Sequence, residues 1–261
     1  MNALLNKEKD LLALLKKASP LVVGFSGGVD SALLVQAAVE AVGNDNVVAV
    51  TANSASLATS EFEKCKELAI SQGWNWMEVE TDEIKNPEYV KNDIDRCAHC
   101  KTSLFDALQP IAQQSGSSIA LGIHLDDLND FRPGQKTAKD RGGIFPLVEA
   151  GFTKHDVREL AKKFNLPVWS KPAMACLSSR IPKGTSVTVG RLKQVESAEL
   201  LLDNFGFIDF RVRYRHEIGQ LELRKQDFKR IVLEPELRTG IKNKFAEIGF
   251  KKVTIDISKF R

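Results

Sequence analysis

Leu21-Val22-Val23-Gly24-Phe25-Ser26-Gly27-Gly28-Val29-Asp30-Ser31 runs from an apolar segment of strand type, through two glycines, into a helical run over residues 32–42. Where a backbone leaves a strand and enters a helix through glycines, several N–H groups converge at the helix N-terminus, and phosphate is their natural guest. The string is not a Walker loop, which needs a longer spacer and a lysine before the Ser/Thr, and it is not G-x-G-x-x-G. Asp30 instead sets a carboxylate inside the anion site, which is electrostatically sensible when a divalent cation bridges it to the phosphates. A plain glycine turn with Asp30 as a helix-start residue is the simpler alternative.

Outward from this loop, residues 4–17 repeat leucines at helical spacing with charges opposite, the pattern of an amphipathic helix. Strand-type runs at 47–51, 76–79 and 118–123 alternate with helical runs at 61–72 and 101–114. That alternation predicts an α/β fold, a parallel sheet flanked by helices on both faces, with ligands gathering at the carboxyl ends of the strands. After Pro182-Lys183-Gly184 a helix at 191–204 precedes two alternating strands, another helix and a terminal strand at 253–257. The expected organisation is therefore a nucleotide-binding domain over 1–184 and a smaller C-terminal α+β domain over 185–261. No internal repeat or low-complexity tract interrupts it.

The 261 residues are 43% hydrophobic and 27% charged, an ordinary globular composition. The formal charge of +3 is too small to argue for nucleic-acid or membrane binding by bulk electrostatics. No stretch approaches the roughly 18 consecutive apolar residues of a membrane span, and Lys7, Glu8, Lys9 and Asp10 break up any signal-peptide core. The expectation is a soluble cytoplasmic protein with neither a membrane nor a nucleic-acid partner.

Four cysteines are too few for a disulfide scaffold, and two of them form Cys97-Ala98-His99-Cys100, a spacing typical of metal or redox chemistry. With Cys176 they offer three candidate thiolates. A closed zinc site wants four ligands and would have to recruit Cys65 or His99. Cys65 sits in a helical run between Lys64 and Lys66 and reads as a lone residue. Three cysteines without a fourth suit an iron–sulfur cluster with one iron left open; incidental pairing or structural zinc stays open for Cys97 and Cys100. Lys171 and Arg180 flank Cys176 and favour a thiolate, while a buried inert cysteine is the rival reading.

Phe210-Arg211-Val212-Arg213-Tyr214-Arg215 alternates strictly, so a strand puts Arg211, Arg213 and Arg215 together on one face. The next strand is expected to place Glu222 and Arg224 outward, with Glu222 pairing across to the arginines. Such a face is either merely solvated or a phosphate site, since guanidinium groups bind phosphate bidentately.

The S-G-G-x-D-S string resembles the PP-loop ATP pyrophosphatase superfamily, whose adenine nucleotide alpha hydrolase-like fold splits ATP into AMP and pyrophosphate. That resemblance implies that Ser26, Gly27, Gly28, Asp30 and Ser31 hold the pyrophosphate portion and Mg²⁺, with Asn53 near the adenosine. Arg96-Cys97-x-x-Cys100-Lys101, Asn129-Asp130-Phe131-Arg132-Pro133-Gly134, Cys176-Leu177-Ser178-Ser179-Arg180 and the arginine strand extend the match through nearly the whole chain. Together they are similar to the LarE-type sulfur transferases of nickel-pincer nucleotide biosynthesis, which activate a carboxylate of pyridinium-3,5-biscarboxylic acid mononucleotide with ATP and replace oxygen by sulfur.

The resemblance implies Cys176, Asp30, Ser179 and Arg180 as catalytic, and Arg211 and Arg213 at the substrate phosphate with Glu199, Glu222 and Asp227 nearby. It also implies a homo-oligomer. One branch of the family sacrifices the sulfur of the cysteine matching Cys176 and lacks the C-x-x-C. The presence of Cys97 and Cys100 resembles the other branch, in which three cysteines hold a [4Fe–4S] cluster. A tRNA-thiolating enzyme, a non-catalytic nucleotide- or zinc-binding regulator and an amidating pyrophosphatase are the alternatives. Weak net charge and 7% aromatic residues argue against the first. The second leaves Asp30 and the third thiolate without a purpose, and the third does not account for three cysteines.

Overall fold

The structure is a computed structural model that describes residues 2–129, 133–172 and 175–258. Its secondary structure begins α1 (Asn2–Ala18), β1 (Leu21–Gly24), α2 (Val29–Val42), β2 (Val47–Asn53), α3 (Thr59–Gln72) and β3 (Trp76–Glu80). It continues with α4 (Pro87–Lys91), α5 (Arg96–Ser115), β4 (Ser118–Leu121), α6 (Pro133–Asp140), α7 (Pro146–Glu149) and α8 (Lys154–Lys163). The remainder is α9 (Val189–Asn204), β5 (Arg211–Arg215), β6 (Ile218–Glu222), α10 (Lys225–Leu233), α11 (Pro235–Ile248) and β7 (Lys252–Ile255). Two compact units form, one from Met1–Glu83 with Asp95–Met174, the other from Ile84–Ile94 with Ala175–Arg261. Among the described residues no helix is long and apolar enough to cross a membrane.

The first unit holds the expected parallel sheet, in the order β3-β2-β1-β4. Lying between β2 and β4, β1 is interior to the sheet and packs a core on each face, which is why Leu21-Val22-Val23 reads as an unbroken apolar run. Its side chains alternate between two cores: Leu21 and Val23 pack with Leu11, Leu33 and Leu160, while Val22 packs with Phe105 and Leu108. The chain steps outward from β1 to β3 and then returns to the far side of β1 for β4. Strand order thus reverses between β1 and β4, and the crevice at their carboxyl ends is the natural ligand position. The 25–28 loop leaves β1 there, and residues 122–124 leave β4 beside it.

Helix α5 begins five residues earlier than the periodicity predicts, at Arg96, so Cys97 lies in its first turn and Cys100 at the start of its second. The polar opening of that helix carries no apolar stripe for a periodicity argument to detect. Helix α8 was likewise invisible as an apolar run, yet Val157, Leu160 and Ala161 are fully buried. A capping box starts it: the Thr153 hydroxyl accepts from the Asp156 N–H, and the Asp156 carboxylate accepts from the Thr153 N–H at 2.9 Å. Burial pushes the Asp156 carboxyl up, but Lys7 and Thr153 outweigh it and hold the group below its ordinary value.

The second unit has the sheet order β5-β6-β7, antiparallel then parallel. Val212 and Tyr214 are buried, as the alternation predicts. Two readings change. Glu222 is buried rather than outward, and Arg224 is the residue preceding α10 rather than a strand position. The single helix expected before the last strand is two, because Pro235 ends one and supplies the first turn of the next.

Gly122 is where β4 meets the start of α2: a Cβ there would lie 2.7 Å from the Ser31 nitrogen and 2.8 Å from the Asp30 carbonyl carbon. Both are backbone atoms that cannot yield alone. Gly122→Ala is expected to cost about 1–3 kcal/mol through overpacking, read as a lowered urea midpoint, and to weaken nucleotide binding by displacing the first turn of α2.

Candidate active site

Gly27 takes φ +68°, and a side chain there would also strike the Cys65 sulfur at 2.6 Å. Both facts demand glycine at this position. Gly28 precedes α2 in extended conformation and no side chain caps the helix, so the N–H groups of its first turn point toward the crevice unclaimed by a cap. The Ser31 hydroxyl donates to the Gly28 carbonyl at 3.1 Å and accepts from the Ser26 N–H at 3.1 Å, closing the loop on itself. The Ser26 hydroxyl lies 3.2 Å from that of Ser31.

The loop's own sequence contains no lysine, but the fold brings two. Lys154 Nζ donates to both Asp30 oxygens at 2.7 Å, and Lys171 Nζ donates to the Gly27 carbonyl at 3.1 Å and to Glu61 at 2.7 Å. His124, almost wholly buried after β4, holds Nε2 3.6 Å from Asp30 and 3.3 Å from Asp127. None of these contacts is legible locally, although Lys171 is a basic neighbour of Cys176 in the sequence. Asn53, at the carboxyl end of β2, donates to Glu80 at 3.0 Å. Backbone donors, two lysines and one carboxylate are a donor set that suits a polyphosphate with its divalent cation.

Burial pushes Glu61 up, but its hydrogen bonds to Lys171 and Lys64 prevail and hold its carboxyl below the usual range. At Cys65 burial outweighs the opposing charge of Lys171, and the thiol is pushed up to about 11. Cys65 is therefore a neutral thiol packed under Gly27. Cys97 is exposed and Cys100 half-buried in the first two turns of α5, within the first unit. Cys176 is exposed in the second unit, immediately before the 3-10 turn Leu177–Arg180. Among the described residues no group of three or more His, Cys, Asp or Glu side chains is gathered to hold a metal ion. Within the stretch 129–134, Asp130, Phe131 and Arg132 lie outside the described residues.

The second unit assembles most of the remaining expected residues. Arg180 donates through Nε and Nη2 to the two oxygens of Glu199, at 3.0 and 3.3 Å, and through Nη1 to the Ala175 carbonyl and the Ser179 hydroxyl. Arg213 grips the buried Glu222 in the same two-pronged way, at 2.9 and 3.2 Å, and reaches the Ser179 carbonyl at 2.6 Å. Glu199 also accepts from the Val212 N–H at 3.0 Å. Arg211 stands directly across from Glu222 in the strand register. Asp227 instead serves Arg224, at 2.8 Å.

Thiol reactivity tests this picture. At about pH 8 iodoacetamide attacks thiolates, so Cys97 and Cys176 should be labelled in the native protein and Cys65 only after unfolding, as read by peptide mass spectrometry. Native Cys65 labelling at a matching rate would contradict its burial.

The sequence pattern of the NAD synthase family matches residues 9–101. An uncharacterized protein of Synechocystis sp. is 38% identical over 241 residues, 92% of this chain and 89% of that protein. The NH(3)-dependent NAD(+) synthetase of Methanococcoides burtonii is 29% identical over 153 residues, 56% of this chain and 57% of that protein. The pyridinium-3,5-bisthiocarboxylic acid mononucleotide synthase of Lactiplantibacillus plantarum is 36% identical over 270 aligned positions, 100% of this chain and 94% of that enzyme. With likeness through its full length and a PP-loop at its first strand, the chain belongs to the family of LarE-type pyridinium-3,5-bisthiocarboxylic acid mononucleotide synthases.

Proposed function

We propose that this enzyme adenylates a carboxylate of pyridinium-3,5-biscarboxylic acid mononucleotide with ATP and converts it to a thiocarboxylate. The observation that carries the reading is Asp30: a carboxylate set among the N–H groups of α2 and held by Lys154 at 2.7 Å on both oxygens. Such a carboxylate would repel phosphates alone but suits phosphates with Mg²⁺, which Asp30 would hold and which would neutralise the charge of the leaving pyrophosphate. Ser26, Gly27, Gly28 and Ser31 cradle the phosphates, Lys154 transfers its charge from Asp30 to them, and Asn53 borders the adenosine. The substrate carboxylate oxygen then attacks the α-phosphorus, the bond to pyrophosphate breaks, and an acyl-adenylate remains. Attack by sulfur at the acyl carbon expels AMP, a far better leaving group than oxide.

Cys97, Cys100 and Cys176 would hold a [4Fe–4S] cluster as thiolates, and their donor chemistry fits: two are exposed, while the remaining cysteine, Cys65, is kept protonated by burial. When bound, such a cluster supplies sulfide at an iron that has no protein ligand. Arg211 and Arg213 bind the substrate phosphate, with Glu199, Glu222 and Asp227 fixing the arginines and their surroundings, and copies of the chain assemble into a homo-oligomer. Sacrificial transfer of the Cys176 sulfur is the second reading. It is favoured by the exposure of Cys176 on the same turn as Ser179 and Arg180, whose guanidinium reaches the Cys176 carbonyl at 3.3 Å.

Asp30→Asn should abolish formation of AMP and pyrophosphate while leaving the thermal midpoint nearly unchanged, because the part-exposed Lys154–Asp30 pair it also breaks contributes little to stability; adenylation at the wild-type rate would sink the assignment. Anaerobic iron and sulfide analysis, followed by mass spectrometry after turnover, separates the two sulfur sources. With a cluster, alanine at Cys97, Cys100 or Cys176 loses iron and sulfur transfer together, Cys65→Ala retains both, and Cys176 keeps its mass. Loss of the mass of one H₂S from Cys176, with one sulfur transferred per chain, establishes sacrificial transfer instead.

A further inference from the structure

Residues 84–94 leave the nucleotide-binding unit, pack within the second unit, and return at Asp95. Their contacts there converge on one segment. Tyr89, almost wholly buried, sets its hydroxyl 2.6 Å from the Ser178 hydroxyl, which is itself buried. Asn92, fully buried in the left-handed conformation with φ 60°, donates its amide to the carbonyls of Ile181, Pro182 and Thr185 at 3.3, 2.8 and 2.9 Å. The Asn92 carbonyl accepts from the Gly184 N–H, and the Val90 carbonyl from the Val187 N–H.

Every one of these bonds ends between residues 178 and 187, the stretch that continues directly from the Cys176–Arg180 turn. The turn's own closure is slight: the Ser179 N–H and hydroxyl both return to the Cys176 carbonyl, and a turn this short has little stability of its own. Asparagine is among the few residues other than glycine that occupy the left-handed region readily, and its side-chain amide can serve carbonyls that the surrounding loop leaves without partners.

We propose that Tyr89 and Asn92 are positioning residues that hold the Cys176–Arg180 turn in the shape sulfur transfer requires, Tyr89 acting through Ser178 and Asn92 through the carbonyls that follow. The inference rests on the reading of Cys176 as a sulfur-handling residue. It goes beyond it by assigning a role to an excursion that the nucleotide chemistry does not use.

Tyr89→Phe keeps the ring and removes the hydroxyl contact with Ser178. In the substrate-free protein, the Ser179 and Ile181 N–H groups, which close the turn, should then exchange with deuterium about fivefold faster, the factor corresponding to the net contribution of one hydrogen bond, while the N–H groups of α5 exchange at their wild-type rate. With ATP, Mg²⁺ and the mononucleotide, pyrophosphate release should stay within about twofold of wild type, and sulfur transfer should fall by a factor similar to the gain in exchange, in kcat rather than KM. Ser178→Ala, which breaks the same contact from the other side, should speed exchange as well. Unchanged exchange at Ser179 and Ile181 in both Tyr89→Phe and Asn92→Ala overturns the proposal, as does equal acceleration in α5, which marks general loosening. If the wild-type enzyme transfers no sulfur, the functional reading fails on its own, and the exchange comparison still decides whether these residues order the turn.

Discussion

Two short contacts between Lys154 and Asp30 tie the start of α8 to the loop that opens α2. Asp30 lies in the first turn of α2, where the helix dipole favours negative charge but where the expected ligand is also negative. Lys154 neutralises that carboxylate in this structure, which lowers the repulsion an anionic ligand would meet. Its position depends on the entry to α8, where the Lys154 N–H donates to Asp126 at 2.6 Å and the Thr153–Asp156 box fixes the helix start. Lys7 on α1 then braces Asp156 at 2.7 Å. The phosphate loop is thus held by packing and charge drawn from several separate segments of the chain.

Lys171 acts on the other side of the same loop. It joins the Gly27 carbonyl to Glu61 and lies close enough to Cys65 to favour its thiolate, yet burial wins and the thiol stays protonated. The outcome assigns different chemistry to cysteines that look alike in the sequence: Cys65 becomes packing for a glycine turn, whereas Cys97 and Cys176 remain accessible.

In the second unit, buried charges are matched in pairs, Arg180 with Glu199 and Arg213 with Glu222. Burying such pairs contributes little net stability, since desolvation offsets the attraction, but breaking one leaves an uncompensated charge and is costly. Their value is geometric. Arg180 and Arg213 both also bond to the residues around Ser179, so the pairs set the position of that turn while the 84–94 excursion secures the chain beyond it.

The phosphate loop, the parallel α/β alternation and the single-faced arginine strand were legible because each is encoded locally, by glycines at a strand-to-helix junction or by periods of two and 3.6 residues. Sequence alone also separated Cys65 from the other three cysteines, though without the burial that explains it. Lys154 and Lys171 reach the loop from 124 and 144 residues away, and Tyr89 meets Ser178 across 89. No periodicity records such meetings. They are decided when the two cores flanking β1 close and when the second unit takes in residues 84–94, because only packing brings polar groups that distant in the chain within hydrogen-bonding reach.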